Sequence, residues 1–411
     1  MNLDKKVPEI RFKGFSGEWE NLTLGDLGSV AMNKRIFKHQ TSGSGEVPFF
    51  KIGTFGKQPD AFISMALFKE YKAKYPYPVT GDLLLSASGS IGRVVEYKGE
   101  EQYFQDSNIV WLKHDGRIDN SFLKVFYSMV QWSGLEGSTI KRLYNKNILD
   151  TEINTPERPE QTAIGTYFQK LDSLINQHQQ KYDKLSNLKK AMLEKMFPKK
   201  GETIPEIRFK GVNGEWEDIG LLESIERVID FRGRTPKKLG LDWSPSGYRA
   251  LSALNVKQGY IDFSIDPHFG DQELYDKWMS GSELHQGQVL FTTEAPMGNV
   301  AQVPNADKYI LSQRTIAFVV KPKVITDAFL AVLLRSSKVF RELSALSSGG
   351  TAKGVSQKSL ANLNVLIPSD LDEQTAIGNY FQKLDTLINQ HQQQITKLTN
   401  IKQACLSKMF V

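Results

Sequence analysis

The stretch EQTAIGTYFQKLDSLINQHQQ occupies positions 160–180, and EQTAIGNYFQKLDTLINQHQQ occupies positions 373–393. Nineteen of the 21 positions are identical, 213 residues apart. A segment this long carried twice marks an internal duplication, and the fold must accommodate both copies. A second pair of markers agrees. VPEIRFKGFSGEWE at 7–20 returns as IPEIRFKGVNGEWE at 204–217, an offset of 197. The two offsets differ by 16, so the material between the markers keeps its order but is longer in the second half.

The intervening blocks are related in outline. GDLLLSASGSIGRVVEY (81–97) matches GQVLFTTEAPMGNVAQV (287–303) in glycines and apolar positions, and GSTIKRLYNKNILDTEINTP (137–156) matches GGTAKGVSQKSLANLNVLIP (349–368) in the same way. Shared apolar and glycine positions predict a common backbone. Differing polar positions predict that the two copies touch different things. The chain divides into a marker (1–20), a first variable block (21–158), a long helix (159–197), a linker with the repeated marker (198–217), a second variable block (218–370) and a second long helix (371–411).

The helices follow from composition and period. Neither Gly nor Pro occurs from Thr166 to Phe197 or from Asn379 to Val411, and apolar residues recur at three- and four-residue steps. At about 1.5 Å per residue each helix would run roughly 50–60 Å. Pro159 and Glu160 suit a first turn, and Ser369 or Asp370 can cap the second helix. The stripes, the first of which continues through Leu188, place Phe168, Leu171, Ile175, His178 and Leu185 opposite Phe381, Leu384, Ile388, His391 and Leu398. Connectivity predicts an antiparallel pair with one block at each end and the two chain termini as neighbours. His178 and His391 read as polar register-setters on that stripe, with a metal or pH role as the alternative.

The bulk properties are permissive. A chain of 411 residues, 40% apolar and 24% charged, is long enough for two or more cores. One cysteine, Cys405, excludes an internal disulfide and a cysteine-cluster metal site. The start, MNLDKKVPEIRFKG, lacks an apolar secretory core, and no 18-residue apolar run follows, so no membrane span and a cytoplasmic location are expected. A net charge of +6 and a pI near 9.0 permit a polyanionic partner.

Two variable blocks, each followed by a long helix opening on EQTAIG, make this chain resemble the specificity subunit of type I restriction–modification enzymes. The resemblance spans the whole chain, and its best markers are INTPERPEQTAIGTYFQKLD (153–172) and LIPSDLDEQTAIGNYFQKLD (366–385). It implies an α+β protein whose two target recognition domains are separated by two long antiparallel, coiled-coil-like helices. Each domain would read one half of a bipartite site in double-stranded DNA, and the helices would fix the unread spacing. Two DNA adenine methyltransferase subunits would dock, bringing S-adenosylmethionine. Restriction/translocase subunits would bring ATP and Mg²⁺. The specificity subunit itself would hold no cofactor or metal and catalyse nothing. A coiled-coil protein adaptor that reads no DNA and a Mg²⁺-dependent nuclease domain hidden in a block are the rivals.

Motifs of chemistry are sparse. There is no Asn/Asp-Pro-Pro-aromatic sequence and no G-x-x-x-x-G-K-[S/T] loop; GGTAKG (349–354) has the wrong spacing. Pro59-Asp60 followed by Glu70-Tyr71-Lys72 imitates a Mg²⁺-dependent nuclease site, which would need both acids on neighbouring strands.

Candidate DNA contacts are basic and small polar residues in loop-like settings. In the first block they are Lys34, Arg35 and Lys38 (beside Asn33), Ser88, Ser90 and Arg93 at a hairpin tip (with Ser86), Asn108 after Gln105, Asp106 and Ser107, and Lys141, Arg142 and Lys146. In the second they are Arg232, Arg234, Thr235, Lys237 and Lys238, Asn299 at the matching hairpin (with Thr292, Thr293 and Glu294), Gln313 and Arg314 (between Ser312 and Thr315), and Lys353 and Lys358 (after Thr351). Trp19 and Trp216, each inside GEWE, should do one job twice, packing against a helix root or a shared partner.

Overall fold

The computed structural model describes residues 7–134, 141–266, 268–347 and 354–410. Its contacts gather into two units, Met1–Gln177 with Ile395–Val411, and His178–Gln394. The long helices run Arg158–Lys195 and Leu371–Lys408, 38 residues each, and each unit contains a part of both.

The two units share one α+β plan. In unit 1, Glu20–Thr23 pairs antiparallel with Glu152–Thr155. A four-stranded sheet has the order Gly28–Ala31, Ile109–His114, Leu83–Ser86, Val94–Glu96. A three-stranded sheet has the order Phe62–Ile63, Val47–Phe50, Tyr103–Phe104, its last pair parallel. Unit 2 repeats every step: Glu217–Gly220 with Asn364–Ile367; then Ile225–Asp230, Thr315–Val320, Val289–Thr292, Val300–Gln302; then Phe269–Gly270, Tyr248–Leu251, Tyr309–Leu311. The common backbone expected from shared glycines and apolar positions is present. LLLS and VLFT are buried at all four positions, as strands covered on both faces must be.

The EQTAIG motif is legible residue by residue. Glu160 receives both arms of Arg11 at 2.6 Å, and Glu373 receives those of Arg208 at 2.8 and 2.7 Å. The short marker and the long marker of each half therefore clasp each other through a forked ion pair. The Gln161 amide accepts from the Asp119 N–H and donates to the Pro156 carbonyl; Gln374 does the same with Thr326 and Pro368. Each glutamine ties the start of the long helix to the cap of a second helix, Asn120–Met129 or Asp327–Leu333. The glycine permits that crossing. A Cβ on Gly165 would lie 1.9 Å from the Ser121 hydroxyl, and one on Gly378 2.4 Å from the Ala328 Cβ.

Both helices finish on Lys-Met-Phe, and these ends settle the tryptophans. Trp19 is 2% exposed, edge-on to Phe122 and Phe410; Trp216 is 2% exposed, edge-on to Phe197 and Phe329. Packing at the helix root is their role. Described residues close to the two ends of the sequence meet, in line with the expectation: the Ile10 N–H donates to the Lys408 carbonyl at 2.9 Å, just as Ile207 donates to Lys195 at 2.9 Å.

Within each unit the helix segments run antiparallel. In unit 1 Tyr167 meets Cys405 and Asp172 meets Lys402; in unit 2 His178 meets His391 and Lys189 meets Asp385. The stripe does two jobs. Phe168 and Leu171 are buried in the unit 1 core with Met409, and Leu398 packs on it. Phe381 and Leu384 are buried in the unit 2 core with Met196, and Leu185 packs on it. Ile175 and Ile388 are half-buried. Leu188, on the same apolar stripe, is 39% exposed. At the second helix start, the Asp370 carboxylate accepts from the Asp372 N–H at 2.8 Å, so Asp370 rather than Ser369 is the cap.

Candidate nucleic-acid interface

In both units the chain turns an elbow between the small sheet and the large one, and there a non-glycine residue takes a left-handed conformation: Ser107 at φ 53° and Arg314 at φ 63°. Such a residue costs on the order of 1–3 kcal/mol, and strain of this kind gathers at functional sites. An isolated bridge ties each elbow's neighbourhood to a later loop, Ser88 with Arg142 in unit 1 and Glu294 with Gly354 in unit 2. Conformation is shared at these places while the side chains differ.

In unit 1 the elbow forms one wall of an open cleft of about 640 Å³. Arg35, Lys38, Lys51, Asp106, Asn108 and Arg142 line it. Four candidates from three separate stretches, Arg35 and Lys38, Asn108, and Arg142, thus come together. Arg35 donates to Asp106 at 2.8 Å with its side chain 60% exposed. Ser88 donates to the Asn108 side-chain oxygen at 2.7 Å, and Arg142 approaches the same oxygen at 3.5 Å. Donors and acceptors therefore sit side by side on the rim, which is the equipment for reading base edges.

Other candidates go elsewhere. Lys34 lies 5.1 Å above the Tyr75 ring, Arg93 donates to the Phe55 carbonyl, and Asn33 is buried at 2%. Ser86 and Thr292 are buried hairpin staples: Ser86 donates to the Ser90 carbonyl and accepts from the Arg93 N–H, and Thr292 treats Pro296 and Asn299 identically. Gly92 and Gly298, at φ 86° and 88°, allow those tight tips. Lys141 and Lys146 are exposed.

The unit 2 cleft, about 330 Å³, is lined by Thr235, Lys237, Trp243, His268, Trp278 and Gln313 among others. Three candidates, Thr235, Lys237 and Gln313, meet there. Thr235 also caps the short turn Pro236–Leu239. Arg234 stacks 4.2 Å over Phe231, and its carbonyl accepts from the Gln313 amide. Arg232 is held by Asp230. Burial pushes the Asp230 carboxyl up, but hydrogen bonds from the Arg232 side chain and N–H outweigh it, leaving Asp230 below the usual carboxylate range. Lys238 donates to the Gly233 carbonyl, and Asn299 to the Val256 carbonyl. Arg314 pairs with Glu294 at 3.1 Å, its side chain 56% exposed. Lys358 is exposed, and Lys353 lies outside the described residues, as does Thr351.

Sequence reasoning missed Trp243 and His268, whose rings stand 5.5 Å apart on the unit 2 cleft. A signal existed: GLDWSPSG (240–247) sets a tryptophan among turn residues. The nuclease imitation fails on geometry. Glu70 lies on the helix Met65–Lys74 and pairs with Lys74, whereas Asp60 pairs with Lys51. Among the described residues, no helix is long and apolar enough to cross a membrane, and no group of three or more His, Cys, Asp or Glu side chains could hold a metal ion.

The chain matches the model of the type I restriction modification DNA specificity domain twice, over residues 16–187 and 228–400. It is 53% identical over 156 residues to a putative type I restriction enzyme specificity subunit of Haemophilus influenzae, a match covering 38% of this chain and 40% of that one. It is 24% identical over 316 residues to the type I restriction enzyme MjaVIII specificity subunit of Methanocaldococcus jannaschii, covering 75% and 70%. The fold is similar to the crystal structure of the type I restriction-modification S subunit from M. genitalium, with TM-score 0.61 at 15% identity over 98% and 99% of the two chains. With the family domain matched in both halves, this chain belongs to the type I restriction modification DNA specificity family.

Proposed function

We propose that the chain reads a bipartite DNA sequence, each unit's cleft binding one half. The observation that supports this most is a repeated backbone with divergent polar content at one place: Arg35, Asp106, Asn108 and Arg142 in one unit, Lys237, Trp243, His268 and Gln313 in the other. Arg35 and Arg142 suit guanine edges, Asp106 suits the cytosine amino group, and Gln313 suits adenine. Lys38, Lys51 and Lys237 suit phosphates.

The long helices act as the spacer, because half-sites on a duplex must keep a fixed rotational phase of roughly 10 base pairs per turn. The chain itself carries no catalysis. Methylation belongs to two docked adenine methyltransferase subunits with S-adenosylmethionine, and cleavage to ATP-driven restriction subunits. The test exchanges Asn21–Arg158 for the corresponding block of a relative and maps methylated adenines. One half-site should change while the other and the spacing stay; change in both halves, or in neither, refutes the reading.

A further inference from the structure

The long helices carry the same ion pair twice, and one copy lacks a component. Asp172 and Asp385 are equivalent through the 213-residue repeat, as are their partners Lys402 and Lys189. The contacts of Gly165 with Ser121 and of Gly378 with Ala328 set the register of the helix crossing each site, which makes Ser128 the counterpart of Arg335. In unit 2, Lys189 holds one oxygen of Asp385 at 2.5 Å and the Arg335 guanidinium holds the other. The Arg335 and Asp385 side chains are 6% and 8% exposed. Gly259 closes over them, since a Cβ there would strike the Asp385 carboxylate.

In unit 1, Lys402 likewise holds Oδ1 of Asp172 at 2.5 Å, but Ser128 turns back to the Val125 carbonyl. Among the described residues no guanidinium reaches Asp172, whose side chain is 53% exposed. A half-open cleft of about 530 Å³ stands at this place, lined by Ser128, Gln169, Asp172, Lys402 and the Glu96–Lys124 pair. We infer that this cleft is a binding site for a guanidinium group, the group that the repeat supplies internally as Arg335. A guanidinium can donate to the remaining Asp172 oxygen with one arm and offer its second arm to the Gln169 amide that lines the same cleft, whereas a lysine ammonium is a single point charge.

Equilibrium dialysis of the purified full chain against labelled L-arginine amide tests this, without depending on the DNA-reading proposal. One site is expected, with at least tenfold preference over L-lysine amide. It should be lost in Asp172→Asn, an exposed change that spares the core, and blocked in Ser128→Arg, which supplies the missing group in cis. Absence of binding, equal binding of lysine amide, or full binding by Ser128→Arg overturns the inference. Repeating the dialysis on the assembled methyltransferase complex identifies the source. A site closed by assembly assigns the guanidinium to a partner's arginine, and a site left open assigns it to a small solute.

Discussion

Replacing Arg208 by alanine leaves Glu373 as a carboxylate with 1% side-chain exposure and no cation. Two charge-assisted hydrogen bonds, at 2.8 and 2.7 Å, disappear together. Breaking one side of a buried pair costs about 3–5 kcal/mol. The Gly214 and Asn213 carbonyls that Arg208 also reaches are exposed and can turn to water, so they add little. Replacing both partners, Arg208→Met with Glu373→Leu, should restore stability to within about 1 kcal/mol, since an apolar pair strands no charge. Urea denaturation followed by tryptophan fluorescence reads the effect, with the buried Trp216 among the reporters. A loss below about 1 kcal/mol in Arg208→Ala, or a double variant as weak as the single, would show that the clasp does not join the markers energetically.

Gly165→Val and Gly378→Val should each lower the urea midpoint by an equivalent of at least 3 kcal/mol, because the added atoms have no space against the neighbouring helix. A chain opened before Lys200, with Val411 joined to Met1, should keep the native urea midpoint. Eleven residues separate Lys195 from Ile207, while Met409–Val411 and Met1–Glu9 supply 3 + 9 = 12 between Lys408 and Ile10. Burial, then the His178 and Lys181 charges, hold His391 below the ordinary histidine pKa. The unfolded chain therefore takes that proton more readily, so this contribution is complete above about pH 6.5 and fades as pH falls. The difference in urea midpoint between wild type and His178→Asn/His391→Asn should shrink from pH 8 to pH 5.5; a difference that grows would contradict it. Lys38→Ala should weaken binding to all DNA sequences alike and reduce the salt slope by about 1.

The duplication, the helical stretches and the shared backbone of the two blocks were legible because each is written in local patterns: identity at a fixed offset, a three-to-four-residue apolar step, and glycine where tight hairpins need it. The meaning of EQTAIG was not local. Glu160 and Glu373 suit a first helical turn equally well whether they face water or an arginine 149 or 165 residues away. Only folding brings Arg11 and Arg208 to them. The same holds for the clefts. Lysines and arginines in loops look alike in sequence, and tertiary packing sent Arg93 to a carbonyl and Lys34 to a ring while gathering Arg35, Lys38, Asn108 and Arg142 on one rim. Period and composition report which face of an element is apolar. Which polar groups converge depends on contacts between residues far apart in the chain, and a single sequence does not encode those in any local pattern.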